Sequence, residues 1–287
     1  AIHLAHRLRA AYPDGQLYAD LAGDTDHPAS PGTVLGTFLR ALGVPGTAVP
    51  EGCEERAALF RSVVAGRRLL VVLDNAADER QVRPLLPGGS GCGVLLTART
   101  RLSAIAGCHF VDLDVFPPVA ALALVEKIVG AARVAAERSS AVALIDLCGH
   151  LPLAVRIAAA RAAASPDAPL AWLVAQLTDE RRRLDELRIG DLDVRSSIAT
   201  GYAALGEDER RVLRRLALLD AADVAVWTVA AVADLPVAAA QRAVRTLVDR
   251  RLLDEAGVDH CGQMRYRFHG LIKLFARERA DEEPAEA

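Results

Sequence analysis

Lysine is nearly absent from this 287-residue chain, in which only Lys127 and Lys273 stand among 34 basic side chains. With alanine so abundant, that points to a very GC-rich genome and carries no chemistry. A second absence matters more. No Gly-x-x-x-x-Gly-Lys-[Ser/Thr] occurs in the sequence, so the loop that cradles phosphates in many nucleotide-binding folds is missing. The five cysteines (Cys53, Cys92, Cys108, Cys148 and Cys261) form no Cys-x-x-Cys pair and are odd in number, which excludes a zinc ribbon and a complete disulfide framework. Uncharged stretches such as Val224 to Ala233 stop well short of the ~18 apolar residues of a membrane-crossing helix. No basic-then-apolar leader opens the chain, so a soluble, cytoplasmic protein with no membrane partner is expected.

A basic excess is also missing. Residues 191–287 carry 14 basic and 17 acidic side chains and the first 190 carry 20 of each, whereas a module that grips DNA by counterion release normally presents a clearly basic face.

At 52% hydrophobic residues, the chain is long enough for two or three buried cores. Up to Phe116, helix-like and strand-like segments alternate. Ile2, Leu4, Ala5 and Leu8 share a helical face, and Pro13-Asp14-Gly15 turns into a strand at Gln16 to Leu21. Ser30-Pro31 opens a helix that runs to Gly43, and a second helix over Glu54 to Ala65 precedes the apolar run Leu69 to Leu73. Gly93 to Leu96 and His109 to Val115 complete the set of buried runs. Near-continuous apolar strands separated by helices predict a parallel sheet covered on both faces.

Beyond Pro117-Pro118 the pattern predicts helices at about 119–129, 137–148, 153–164 and 169–186. From Asp191 to Ala280 several short helices are expected, followed by a hairpin of Arg251–Asp254 and Met264–His269 turning at Gly257. A last helix, Leu271 to Arg279, should pack behind it. The acidic tail from Asp281 to Ala287 is expected to be disordered.

Four motifs carry chemistry. Leu69 to Asn75 is an apolar strand ending in a carboxylate. Asp74 at such an end is suited to hold the water shell of a magnesium ion between the β- and γ-phosphates, or is simply where a strand enters a turn. Asn75 cannot take a proton from water, which predicts slow hydrolysis. Thr97-Ala98-Arg99 ends another strand on the same sheet edge, where an arginine can meet a γ-phosphate or simply stand exposed in a loop. Pro152, in Gly149-His150-Leu151-Pro152-Leu153-Ala154, starts a helix, and its ring can also pack on an adenine. His269 lies at a strand-to-helix junction, as a structural histidine or as an imidazole reaching a β-phosphate.

Together and in this order, the motifs resemble the NB-ARC class of signal-transduction ATPases with numerous domains, in the version found in actinobacterial antibiotic regulatory proteins. DGQLYADLAG, LLVVLDNAADERQVRPLLPG, TARTRL, CGHLPLAVRIAAARAA and LTDERRRLDEL carry the likeness from Ala1 to about Arg279. The resemblance implies a phosphate-loop-type parallel α/β domain over residues 1–116 with its first strand and phosphate loop missing. A four-helix domain over 117–190, a winged-helix domain over 191–280 and the tail 281–287 would follow.

It further implies ADP or ATP with magnesium held between these domains, with Asp74 as the catalytic and magnesium-side residue and Arg99, Pro152 and His269 on the nucleotide. Turnover would be slow at most. The partners would be the other domains of a parent transcription activator, DNA through a separate domain, and further copies on activation. His150 replaces a glycine before Leu-Pro. Gly270 replaces an aspartate after the histidine, so His269 either loses a supporting carboxylate or is followed by a residue with positive φ. Two other readings remain open: a DNA-binding winged-helix regulator on an α/β scaffold, and a degenerate partner-binding fragment.

Overall fold

A computed structural model of the chain describes residues 1–25 and 27–282, which fall into two compact units divided between Phe110 and Val111. The first unit contains helix α1 (Ile2–Arg7), strand β1 (Gln16–Asp20), helices α2 (Pro31–Ala41) and α3 (Cys53–Val64), strand β2 (Leu70–Ala76), the short α4 (Glu79–Val82) and strand β3 (Gly93–Ala98). The strands form a parallel sheet in the order β1-β2-β3, with Leu17 beside Val71 and Val71 beside Val94. The central strand explains why its apolarity is continuous rather than alternating. Val71 and Leu73 join Phe38 of α2 and Phe60 of α3 on one face, while Leu70 and Val72 join Ala5 of α1 on the other, all of them buried.

One expected strand does not form. Residues His109 to Val115 have no regular structure, with Val111 72% and Leu113 88% exposed. Asp112 and Asp114 interrupt their apolar residues, so both faces cannot be buried, and no strand pairs with them among the described residues. Asp112 instead pairs with Arg251.

The second unit opens with helices α5 (Pro118–Val129), α6 (Ala131–Ala136), α7 (Arg138–Leu147), α8 (Pro152–Ala164), α9 (Leu170–Thr178) and α10 (Glu180–Glu186). Two expectations are corrected here. The single helix read over 169–186 is broken at Asp179, whose carboxylate accepts the Arg181 N–H and caps a new helix. Helix α6 occupies the Ala-rich stretch after Gly130, where φ of 103° ends α5 without ending helical structure. The two-residue strands β4 (Arg188–Ile189) and β5 (Leu192–Asp193) then pair antiparallel and lead into α11 (Val194–Ala203).

Helices α12 (Glu207–Ala217), α13 (Val226–Ala233) and α14 (Val237–Asp249) follow, with strand β6 (Val224–Ala225) between the first two. Strands β7 (Asp254–Val258) and β8 (Met264–Arg267) complete a three-stranded antiparallel sheet in the order β6-β8-β7. The hairpin does not turn at Gly257. That glycine, with φ of 101°, lies where the β7 register shifts, and the chain reverses over Asp259 to Gly262, where Asp259 accepts the N–H groups of Cys261 and Gln263.

The final helix α15 (Gly270–Asp281) does more than pack behind the hairpin. Leu271, Leu274 and Phe275 are buried in the core of α5, α7, α8, α9 and α11, whereas Ala276 belongs to the core of α12 to α14 and the small sheet. Arg195 of α11 holds Glu278 of α15 through two hydrogen bonds of 3.0 and 2.9 Å. Lys273 Nζ and Arg277 Nε donate to Leu219 O and Ala217 O, each at 2.8 Å, satisfying carbonyls at the end of α12. Of the expected tail, Asp281 ends α15 and Glu282 caps it, while 283–287 lie outside the described residues.

Burial pushes the Cys148 thiol up to about 12, so it stays protonated and inert, while Cys108 and Cys261 are exposed. A thiol reagent at mildly alkaline pH should label Cys108 and Cys261 in the native protein and Cys148 only after denaturation. Rapid native labelling of Cys148, read by mass spectrometry of peptides, would contradict this packing.

Candidate functional site

In a parallel sheet all strands end on one edge, and here that edge is polar. Asp20 at the end of β1 is in register with Asp74 of β2, and β3 ends at Thr97-Ala98 with Arg99 following. The β2–β3 register runs from Leu73 opposite Leu96 to Ala76 opposite Ala98, so Asp74 and Asn75 form a bulge. Asn75 has φ of 57°, a conformation asparagine tolerates better than most residues. The bulge directs donors and acceptors toward the edge. Thr97 Oγ1 donates to Asp74 Oδ1 and accepts the Asn75 N–H at 2.9 Å, and Tyr18 OH lies 3.4 Å from Asp74 Oδ2.

The loop after β1 is drawn onto this edge. Leu21 N–H donates to Asp74 O at 2.8 Å and Gly23 N–H to Asn75 O at 2.7 Å. A Cβ at Gly23 would stand 2.6 Å from Asn75 O and 2.3 Å from Ala77 N, so no larger residue fits between these loops. The buried Gln81 amide fixes the arrangement by donating to Leu21 O and Ala29 O at 2.8 and 2.9 Å and accepting Ala77 N–H at 2.9 Å. Asp24 is thereby brought between Asn75 Nδ2, 2.5 Å away, and Arg99 Nη2, 3.1 Å away. The Asn75 hydrogen bond, assisted by the Arg99 charge, holds the Asp24 carboxyl below its ordinary range.

One carboxylate oriented by two hydroxyls suits an ion held through its water shell with ligand phosphates completing it, as magnesium usually is. An all-protein cage is another matter: no three His, Cys, Asp or Glu side chains converge on a metal position among the described residues.

The other two singled-out motifs meet in the second unit. His269 caps α15, with Nδ1 accepting the Leu271 N–H at 3.3 Å. Its proton is therefore on Nε2, which lies 2.9 Å from Gly149 O and donates to it. Gly149 and His150 both have φ of 57°, and this left-handed pair turns the chain from α7 into α8, whose first residue is the half-buried Pro152. A Cβ at Gly149 would lie 2.6 Å from His269 Nε2, so the glycine is needed for space as well as for φ. His150 Nε2 lies 3.1 Å from Asp146 Oδ1, its carbonyl accepts the Phe116 N–H at 2.9 Å, and its Nδ1 is buried with no hydrogen-bond partner among the described residues.

The structure thus groups Asp74 with Arg99 in the first unit, and Pro152 with His269 around Gly149 in the second. Sequence reasoning missed Asp24, Thr97 Oγ1, Tyr18, Gly23 and Gln81. The one available signal was the LAGD turn directly after β1, on the edge where the motif strands end.

The first unit is in the class of open parallel α/β sheets with a polar carboxyl-end edge. No protein-family model matches the chain. It is 53% identical over 281 residues to a protein named Regulatory protein AfsR of Streptomyces coelicolor, covering 98% of this chain and 28% of that protein. It is 48% identical over 286 residues to a Regulatory protein AfsR of Streptomyces griseus, covering 99% of this chain and 29% of that one. The chain therefore spans less than a third of the length of these curated relatives. Among solved structures, a signal-transduction ATPase with numerous domains and a tetratricopeptide repeat sensor from Pyrococcus horikoshii aligns with 99% of this chain and 43% of its own, at 16% identity. The TM-score of 0.34 is too low to bear on the fold.

Gly149→Ala should destabilise the second unit by about 1–2 kcal/mol from left-handed strain alone, with a further loss as His269 is displaced. His269→Asn keeps a capping acceptor but shortens the reach, and should lose no more than one hydrogen bond, about 0.5–1.5 kcal/mol. If urea unfolding finds both variants as stable as wild type, the bridge does not form in solution.

Gly270 is the first residue of α15. It is not among the residues with positive φ, and apart from its chain neighbours and its own helix backbone nothing described lies within 4 Å of its would-be Cβ. The positive-φ alternative is therefore corrected. Gly270→Asp should stabilise the fold without any ligand, by about 0.3–1 kcal/mol from a negative charge at a helix start. A lowered melting temperature would count against this placement.

Proposed function

We propose that this chain is the nucleotide-responsive segment of a transcriptional regulator, an ADP/ATP switch rather than a fast enzyme. The observation that carries the reading is the carboxyl edge of the parallel sheet, where Asp74, Asn75, Thr97 and Arg99 converge in the position at which open α/β sheets bind ligands. The likeness to two regulatory proteins over nearly the whole chain supports the regulatory half of the proposal. DNA contact and assembly with further copies belong, in this reading, to the whole regulator.

In this proposal Asp74 orients the water shell of a magnesium ion and Arg99 meets the terminal phosphate. Asn75 supplies no general base, which keeps hydrolysis slow. Pro152 offers its ring to the adenine. The part of the second unit containing α12 to α14 and the small sheet acts as the winged helix. His269 exchanges the Gly149 carbonyl for a phosphate oxygen, so that nucleotide state shifts the balance between two arrangements by its differential affinity for them.

Because no phosphate-loop motif occurs in these residues, the chain should bind Mg-ADP and Mg-ATP with dissociation constants weaker than micromolar. In calorimetry, Asp74→Ala should remove the magnesium dependence of ATP binding, and Arg99→Ala should weaken ATP more than ADP. Equal losses for both nucleotides would make Arg99 merely structural. Absence of any heat or thermal shift at millimolar nucleotide would overturn the proposal.

A further inference from the structure

Arg99, which the proposed function assigns to a terminal phosphate, already holds an anion supplied by the chain itself. Its guanidinium lies 3.1 Å from Asp24 Oδ2, and the other carboxylate oxygen takes the Asn75 amide. The segment bearing Asp24 is fastened around it. Gln81 grips Leu21 and Ala29, Gly23 bonds to Asn75 O, and Ala22, with φ of 49°, donates its N–H to Asp20 Oδ1 at 2.8 Å. Gly23 permits an approach that a Cβ would prevent. This loop delivers a carboxylate to Asn75 near the end of β2 and to Arg99 just after β3.

We infer that Asp24 is a resident occupant of the terminal-phosphate position and sets the preference of this edge for a nucleoside diphosphate over a triphosphate. The inference rests on the nucleotide reading above. A ligand ending at its second phosphate leaves the Asp24–Arg99 pair in place. A third phosphate must displace Asp24 from the guanidinium or lie against its negative charge, and Coulomb repulsion between two anions sharing one cation weakens triphosphate binding selectively. Asp24 remains a quarter exposed, so it has water to turn to when displaced. Arg99 makes at least one further interaction besides this pair, which is why the arginine must be varied together with the aspartate.

The test uses the full chain, with Mg-ATP and Mg-ADP as probes, in wild type, Asp24→Asn, Asp24→Ser and Asp24→Asn/Arg99→Ala. Both single variants remove the charge and should raise ATP affinity about fivefold or more while leaving ADP within about twofold, and the double variant should abolish the gain. Hydrogen exchange should also quicken at the Gly23 and Thr25 amides when wild type binds ATP, and not when it binds ADP. If wild type binds nucleotide but neither single variant gains for ATP, or both gain equally for ADP, Asp24 is only a loop fastener and this inference falls while the nucleotide reading stands. If no protein in the set binds either nucleotide, both fall together.

Discussion

Helix α15 has to satisfy two cores at once, and much of the second unit depends on that demand. Leu271, Leu274 and Phe275 complete the core built by α5 to α11, while Ala276 reaches the core of α12 to α14. Polar groups are placed around it accordingly. His269 caps its start and reaches Gly149, Lys273 and Arg277 close the end of α12, and Arg195 grips Glu278 near its end. Removing α15 from either side would expose large apolar surface and strand charged groups that are now paired, so its sequence has little freedom on any face.

In the first unit the corresponding constraint is the backbone at the end of β2. A strand buried on both faces cannot itself present polar groups to the edge, and the bulge at Asp74-Asn75 breaks the alternation where they are needed. Thr97 then orients Asp74, and the Gln81 amide draws the loop after β1 onto the same edge. The Gln81 contacts run from a buried side chain to backbone groups, which fixes positions more tightly than long exposed ion pairs would.

What was legible in the sequence follows from these differences. The apolar run ending in Asp74, the helix start at Pro152 and the strand-to-helix junction at His269 are local patterns, and each appears where the sequence places it. The strand expected at His109 to Val115 was misread because apolar residues alternating with aspartates satisfy a strand template only if a neighbour supplies hydrogen bonds. The break at Asp179 was hidden because a charged stretch reads equally well as one helix or as a cap and a second helix. For Asp24 the LAGD turn marked only the place, not the partners: these lie 51 and 75 positions away and are joined to it by sheet topology. The bridge from His269 to Gly149, 120 positions apart, was equally invisible, although both residues had been singled out separately.

The division of cores in the second unit has a mechanical meaning. Val194 and Ile198 of α11 lie in the same core as Leu271 and Phe275 of α15, whereas the stretch from Leu205 to Leu253 builds its own. That stretch, with the hairpin that follows it, leaves the larger body after α11 and re-enters it at His269, so it is held by two chain crossings rather than hung from one. A body with two attachment points cannot swing freely like a door on a single strap. The crossings are reinforced by α15, whose Lys273 and Arg277 bond the carbonyls of Leu219 and Ala217 and whose Ala276 lies in the second core.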